Sequence, residues 1–221
     1  MLRIKICGIT RPADARLAVQ AGADAIGLNF YAPSPRSLTL EQAQEICQQL
    51  EDNVQRVGVF VNHSEDAIRL HVEQLQLDLV QLHGDEPAEL IQALQPLDVI
   101  KACRCRNPGL DDARQLLAEC REREALPTAM LLDAHVPGEY GGTGQVLEWQ
   151  QFAHLDGALD GCPLILSGGL TADNVATAIE QARPRAVDTA SGVESEPGLK
   201  DADLLARFID EAQAAFSELS S

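Results

Sequence analysis

The chain has 221 residues, 45% of them apolar and 23% charged, and its 17 basic against 34 acidic side chains leave a net charge of −17. Length and apolar content support a sizeable buried core and argue against disorder, and no apolar run approaches the roughly 18 residues of a membrane span. Acidity on this scale argues against a nucleic-acid partner, because phosphate backbones select clustered Lys and Arg; the surplus carboxylates read as solvated helix faces and leave a local anion site open.

The opening Met1-Leu2-Arg3-Ile4-Lys5 alternates like a strand and lacks the apolar stretch of a signal peptide. A soluble cytoplasmic protein with no membrane partner is therefore expected. Strand-like and helix-like runs then alternate to the end. Short runs rich in Val, Ile and Leu predict strands over Arg3–Ile9, Asp24–Phe30, Gln55–Asn62, Leu77–His83, Asp98–Cys105, Ala129–Ala134, Pro163–Leu170 and Ala186–Gly192. Their consecutive apolar residues suit parallel strands buried on both faces.

Helix signals fill the gaps. Gly22 closes the first helix as a left-handed cap would, Thr39-Leu40-Glu41-Gln42 forms a capping box, Ser64 precedes Glu65 and Asp66, and Thr171 precedes Asp173. The last helix gathers Leu204, Leu205, Phe208, Ile209, Ala212, Phe216 and Leu219 on one face. No linker or low-complexity tract interrupts the series. Eight βα units without a break predict one α/β domain over residues 1–221, a (β/α)8 barrel. The absence of a Gly-x-Gly-x-x-Gly turn after the first strand disfavours a dinucleotide-binding sheet. No helix has an apolar stripe broad enough to demand a partner, so a monomer, or at most a weak homodimer, is expected.

A barrel carries its site at the C-terminal ends of its strands. Those ends read Cys7-Gly8, Asn29-Phe30, Asn62, Gln81/His83, Cys103/Arg104, Asp133, Ser167-Gly168-Gly169 and Ser191-Gly192. Glycines after strands seven and eight let backbone N–H groups converge on an anion, so Gly168, Gly169, Ser191 and Gly192 are candidate phosphate ligands; the competing reading is that they only turn the chain. Cys7 reads either as a thiolate base, with Gly8 opening space around the sulfur and Lys5 one layer deeper on the same face, or as a small buried apolar residue. Asp133, after three apolar residues, reads as a proton donor raised by desolvation or as a cap or loop ion pair. A thiolate base and a carboxylic acid suit a proton-transfer isomerisation that needs no metal or organic cofactor.

The loop 138–144, with four glycines, is a lid or a simple connector. Arg36, stiffened by Pro33 and Pro35, is a carboxylate clamp or a solvated arginine. Gln81 and His83 share a face and form either an interior pair or part of the site. The six cysteines include no Cys-x-x-Cys, and His63, His71, His135 and His154 are scattered, so reduced thiols and no metal site are expected.

Several segments resemble the phosphoribosylanthranilate isomerase family in order along nearly the whole chain: Lys5-Ile6-Cys7-Gly8-Ile9-Thr10, Gly58-Val59-Phe60-Val61-Asn62, Val80-Gln81-Leu82-His83-Gly84, Tyr140-Gly141-Gly142-Thr143-Gly144, Leu166-Ser167-Gly168-Gly169-Leu170 and Asp188-Thr189-Ala190-Ser191-Gly192-Val193-Glu194. The resemblance implies an isomerase of tryptophan biosynthesis that carries out an Amadori rearrangement. It implies Asp133 as general acid, Cys7 as general base, and Arg36 on the anthranilate carboxylate. Gln81, His83, Gly142 and Asp188 would join it in substrate binding, with Gly168, Gly169, Ser191 and Gly192 around the phosphate. Ala190 departs from the Ser of many relatives, which would spare a backbone contact and lose a hydroxyl one.

Two other functions fit the barrel. A Schiff-base aldolase needs a lysine at a strand end, whereas Lys5 and Lys101 fall mid-strand and Lys200 near the last helix. A catalytically silent metabolite sensor would keep the glycine loops and could dispense with Cys7 and Asp133.

Overall fold

Alternation along each strand sends one set of side chains toward the helices and the other toward a shared interior. In the computed structural model, which describes residues 2–50, 53–104, 110–133, 149, 152, 155 and 157–219, this division closes into a cylinder. Strands β1 (Ile4–Cys7), β2 (Ala25–Asn29), β3 (Gln55–Phe60), β4 (Leu79–Leu82), β5 (Val99–Arg104) and β6 (Ala129–Asp133) pair in chain order, all parallel. β7 (Ala158–Leu159) is a short antiparallel strand beside β8 (Cys162–Ser167). β6 pairs with β8, β8 with β9 (Ala186–Thr189), and β9 with β1, which completes the eight-stranded barrel.

The interior holds small and branched residues from successive strands, among them Ala25, Val57, Leu79, Ile100, Leu131 and Ile165. Outward residues such as Ile4, Ile6, Ile26, Leu28 and Leu166 build the larger core against the helices. These are α1 (Pro12–Ala21), α2 (Leu40–Cys47), α3 (Glu65–Leu75), α4 (Ala88–Ala93), α5 (Asp111–Glu122), α6 (Val175–Ala182) and α7 (Ala202–Leu219). Gly22 adopts φ 102° and donates its N–H to the carbonyls of Ala18 and Val19, and the Thr39 capping box forms with both of its hydrogen bonds. Ser64 accepts from the Ala67 N–H. The α7 stripe is buried from Leu205 to Phe216 and comes into solvent at Leu219.

Three local expectations change. Thr171 opens a turn instead of a helix, and α6 starts only at Val175, because the Asn174 side chain accepts the Thr171 N–H and bends the chain first. The eighth barrel strand ends at Thr189; a 3-10 turn over Ser191–Val193 and a hairpin of β10 (Glu194–Glu196) with β11 (Leu199–Lys200) follow. Cys103, expected at a strand end of the site, points outward into the helix-side core. Among the described residues no helix is long and apolar enough to cross a membrane.

Candidate active site

The inward residues at the C-terminal strand ends converge on a cleft of about 430 Å³. Cys7, Arg36, His83 and Asp133 line it, with Asp188 at its side and Gly168, Gly169 and Ser191 at one end. Gln81 is buried beneath them. Gly142 and the rest of the loop 138–144 lie outside the described residues, as do Cys105, His135, His154 and the Arg104 side chain.

At the floor, Lys5 is entirely buried and pairs with Asp188, Nζ to Oδ1, at 2.7 Å; the Ser167 hydroxyl donates to the other Asp188 oxygen at 3.1 Å. Burial opposes the Lys5 charge, but Asp188 and the Cys7 sulfur outweigh it and hold the ammonium above the ordinary lysine value. For Cys7 the balance goes the other way. Burial pushes the thiol up, Lys5 and Lys200 pull it down, and Asp188 adds to the rise. The space around the sulfur comes from Gly27, its register partner on β2, where a Cβ would sit 2.7 Å from Sγ. Gly8, the expected source of that space, has another part: its bare Cα, at φ 70°, accommodates the aliphatic portion of Arg36.

Arg36 is neither a free clamp nor a solvated side chain. Its Nε and Nη2 donate to the two carboxylate oxygens of Glu194 at 2.8 and 2.5 Å, and that carboxylate also accepts from Lys200 at 2.8 Å. Two cations hold the Glu194 carboxyl below its usual range against the opposing effect of burial. Lys200 further donates to the carbonyls of Cys7 and Ala190, tying the end of β1 to the turn after β9. Lys200, just before the last helix, is thus buried behind the Cys7 side of the cleft. Burial depresses its pKa, with Glu194 working against that.

Across the cleft, His83 Nε2 stands 3.6 Å from Asp133 Oδ2. The Gln81 amide lies 2.8 Å from His83 Nδ1, and the two side chains are hydrogen-bonded. His83 lines the cleft, and Gln81, buried beneath it, holds its ring.

The anion end rests on backbone geometry. Gly168 and Gly169 adopt φ 90° and 69°, conformations that favour glycine, and a Cβ on Gly169 would meet only open space. Gly192 acts differently. A Cβ there would overlap the Leu170 carbonyl, so its absence lets the two loops close together, sealed by the bond from Thr189 Oγ1 to Leu170 O at 2.7 Å. Among the described residues no three His, Cys, Asp or Glu side chains gather as metal ligands.

Residues 4–211 match the family model described as N-(5'phosphoribosyl)anthranilate (PRA) isomerase. The N-(5'-phosphoribosyl)anthranilate isomerase of Trichlorobacter lovleyi is 44% identical over 215 residues, which cover 97% of this chain and all of that one. The crystal structure of phosphoribosyl anthranilate isomerase from Thermotoga maritima aligns with a TM-score of 0.83 and 42% identity, across 97% of this chain and 100% of its own. A further phosphoribosyl anthranilate isomerase, solved in complex with reduced 1-(o-carboxyphenylamino)-1-deoxyribulose 5-phosphate, aligns with a TM-score of 0.79 and 39% identity over the same shares.

Proposed function

We propose that this chain, which belongs to the N-(5'-phosphoribosyl)anthranilate isomerase family, carries out that isomerisation itself. The reaction converts N-(5-phosphoribosyl)anthranilate to 1-(2-carboxyphenylamino)-1-deoxyribulose 5-phosphate. The observation that carries the reading is the placement of a thiol, a carboxylic acid and a glycine anion cradle on separate strand ends around one cleft.

Asp133 protonates the ribose ring oxygen, the ring opens to a Schiff base, and Cys7 as thiolate removes the C2′ proton. The resulting enolamine tautomerises to the ketone, with no net change in atoms or electrons. His83, held by Gln81, keeps Asp133 at the ring-oxygen side of the cleft. The phosphate lies in the loops around Gly168, Gly169 and Ser191, with Gly192 setting their spacing. Arg36 offers the substrate carboxylate the guanidinium edge that Glu194 does not occupy. Asp188 is committed to Lys5 and Ser167, so its part in substrate binding lies at the cleft wall and follows from those bonds. The chain works as one barrel domain, as a monomer or at most a weak homodimer.

The test follows freshly made phosphoribosylanthranilate by its fluorescence with wild-type protein and Cys7→Ala. Rapid loss of signal with wild type, slowed by about 10²–10⁴ in the variant, is the expected result. Equal loss in both removes Cys7 from the mechanism. No loss with either, together with tight binding of the reduced product, makes the chain a silent sensor.

A further inference from the structure

We infer that Lys5 is a positioning residue for the base: anchored by Asp188 under the floor of the cleft, its ammonium is the fixed counter-charge of the Cys7 thiolate. The inference rests on the reading of Cys7 as the base and adds what lowers the cost of charging its sulfur.

The geometry begins with the two-residue repeat of a strand. Lys5 and Cys7 face inward on β1, and Lys5 is in register with Ala25 on one side and Asp188 on the other. Ala25 leaves room for the long side chain, and Asp188 accepts a hydrogen bond from its ammonium at 2.7 Å. Asp188 cannot turn away, because Ser167 binds its second oxygen.

Gly27 supplies the second observation. A Cβ at that position would stand 2.7 Å from Cys7 Sγ and 3.1 Å from Lys5 Nζ, so both atoms lie against the same bare stretch of β2. Charge balance gives the third. Lys5 from β1, Lys200 from β11 and Arg36 from the loop after β2 face two carboxylates, Asp188 on β9 and Glu194 on β10, while Asp133 and His83 look on from across the cleft. The Cys7 side of the cleft thus carries one surplus positive charge, and a thiolate cancels it. On ionisation the sulfur's proton leaves to solvent and Lys5 keeps all three of its own.

The experiment reads the pH dependence of Cys7 alkylation by iodoacetamide, followed as the mass of the Cys7 peptide in the full unliganded chain, and requires no turnover. Lys5→Met alone would strand the buried Asp188 charge, so the comparison is Asp188→Asn against Lys5→Met/Asp188→Asn. Removing an opposite charge from beside an ionising group moves the midpoint to higher pH, and the double variant should alkylate about tenfold slower or more at pH 7. Gly27→Ala retains every charge and forces Sγ and Nζ apart, so its midpoint should also rise; this carries the test if the double variant does not fold. Coincident midpoints in the folded comparisons overturn the inference. A raised midpoint in a protein that never isomerises its substrate supports the role of Lys5 and overturns the isomerase reading alone. Cys7-dependent turnover with an unmoved midpoint overturns only Lys5.

Discussion

Replacing Glu194 with glutamine removes the one negative charge that Arg36 and Lys200 share. The two arms of this arrangement differ in how much water can help. Glu194 and Lys200 have side chains 3% and 0% exposed, whereas that of Arg36 is 21% exposed. Breaking a buried pair by deleting one partner costs about 3–5 kcal/mol. The glutamine carbonyl still accepts one bond, and water reaches Arg36, so the lower end, about 3 kcal/mol, is the expected loss. In a chain of this length about 1 kcal/mol moves Tm by about 2–4 °C, and Glu194→Gln should melt about 6–12 °C lower at neutral pH. The pH dependence supplies the sharper check. Because the folded carboxyl lies below its ordinary value of 4.5, its stabilisation is complete above that value and disappears as pH falls through the folded one. Thermal melts of both proteins followed by circular dichroism should therefore converge in acid. Equal Tm at neutral pH, or a gap that does not shrink as pH is taken progressively below the ordinary carboxyl value of 4.5, would refute the reasoning.

Asp133→Asn should lower kcat by about 10²–10⁴ while product affinity is retained; an unchanged kcat/KM would remove Asp133 as the acid. Gly192→Ala drives a methyl into the Leu170 carbonyl, and should cost about 1–3 kcal/mol in a melt and weaken phosphate-ligand binding. Arg36→Met should chiefly reduce affinity for the carboxylate-bearing product in titration calorimetry, and equal affinity would dismiss the contact.

What can be read from the residues alone divides by the range of the forces involved. The caps at Gly22, Thr39 and Ser64 act within four positions, and each forms as expected. The eight strands declare themselves as apolar runs, and alternation places Cys7, Asp133 and His83 at the cleft. Contacts set by barrel closure are not legible in this way. Arg36 meets Glu194 across 158 positions, so a loop arginine reads as either a free clamp or a solvated side chain. The glycine that clears the Cys7 sulfur is its partner across the sheet and not its neighbour in the chain, which is why Gly8 misleads. Lys200 sits in a hairpin whose short polar strands carry almost no periodic signal, and its hold on the Cys7 carbonyl emerges only once the first and last units meet. The Ser-Gly-Val-Glu segment is the one available pointer to Glu194.

That meeting of first and last units has a consequence for how the protein is made. Lys5 leaves the ribosome 183 positions ahead of Asp188. At ordinary elongation rates the interval is roughly ten to forty seconds. Throughout it, sealing β1 into a finished interior would strand a cation without its anion, at a cost of several kcal/mol. The nascent chain thus has reason to leave its first strand hydrated until β9 emerges, and a product released early lacks the counter-ion as well as the closing strand. Assembly around the reactive sulfur therefore waits for β9, and a copy released before it lacks the carboxylate that anchors Lys5.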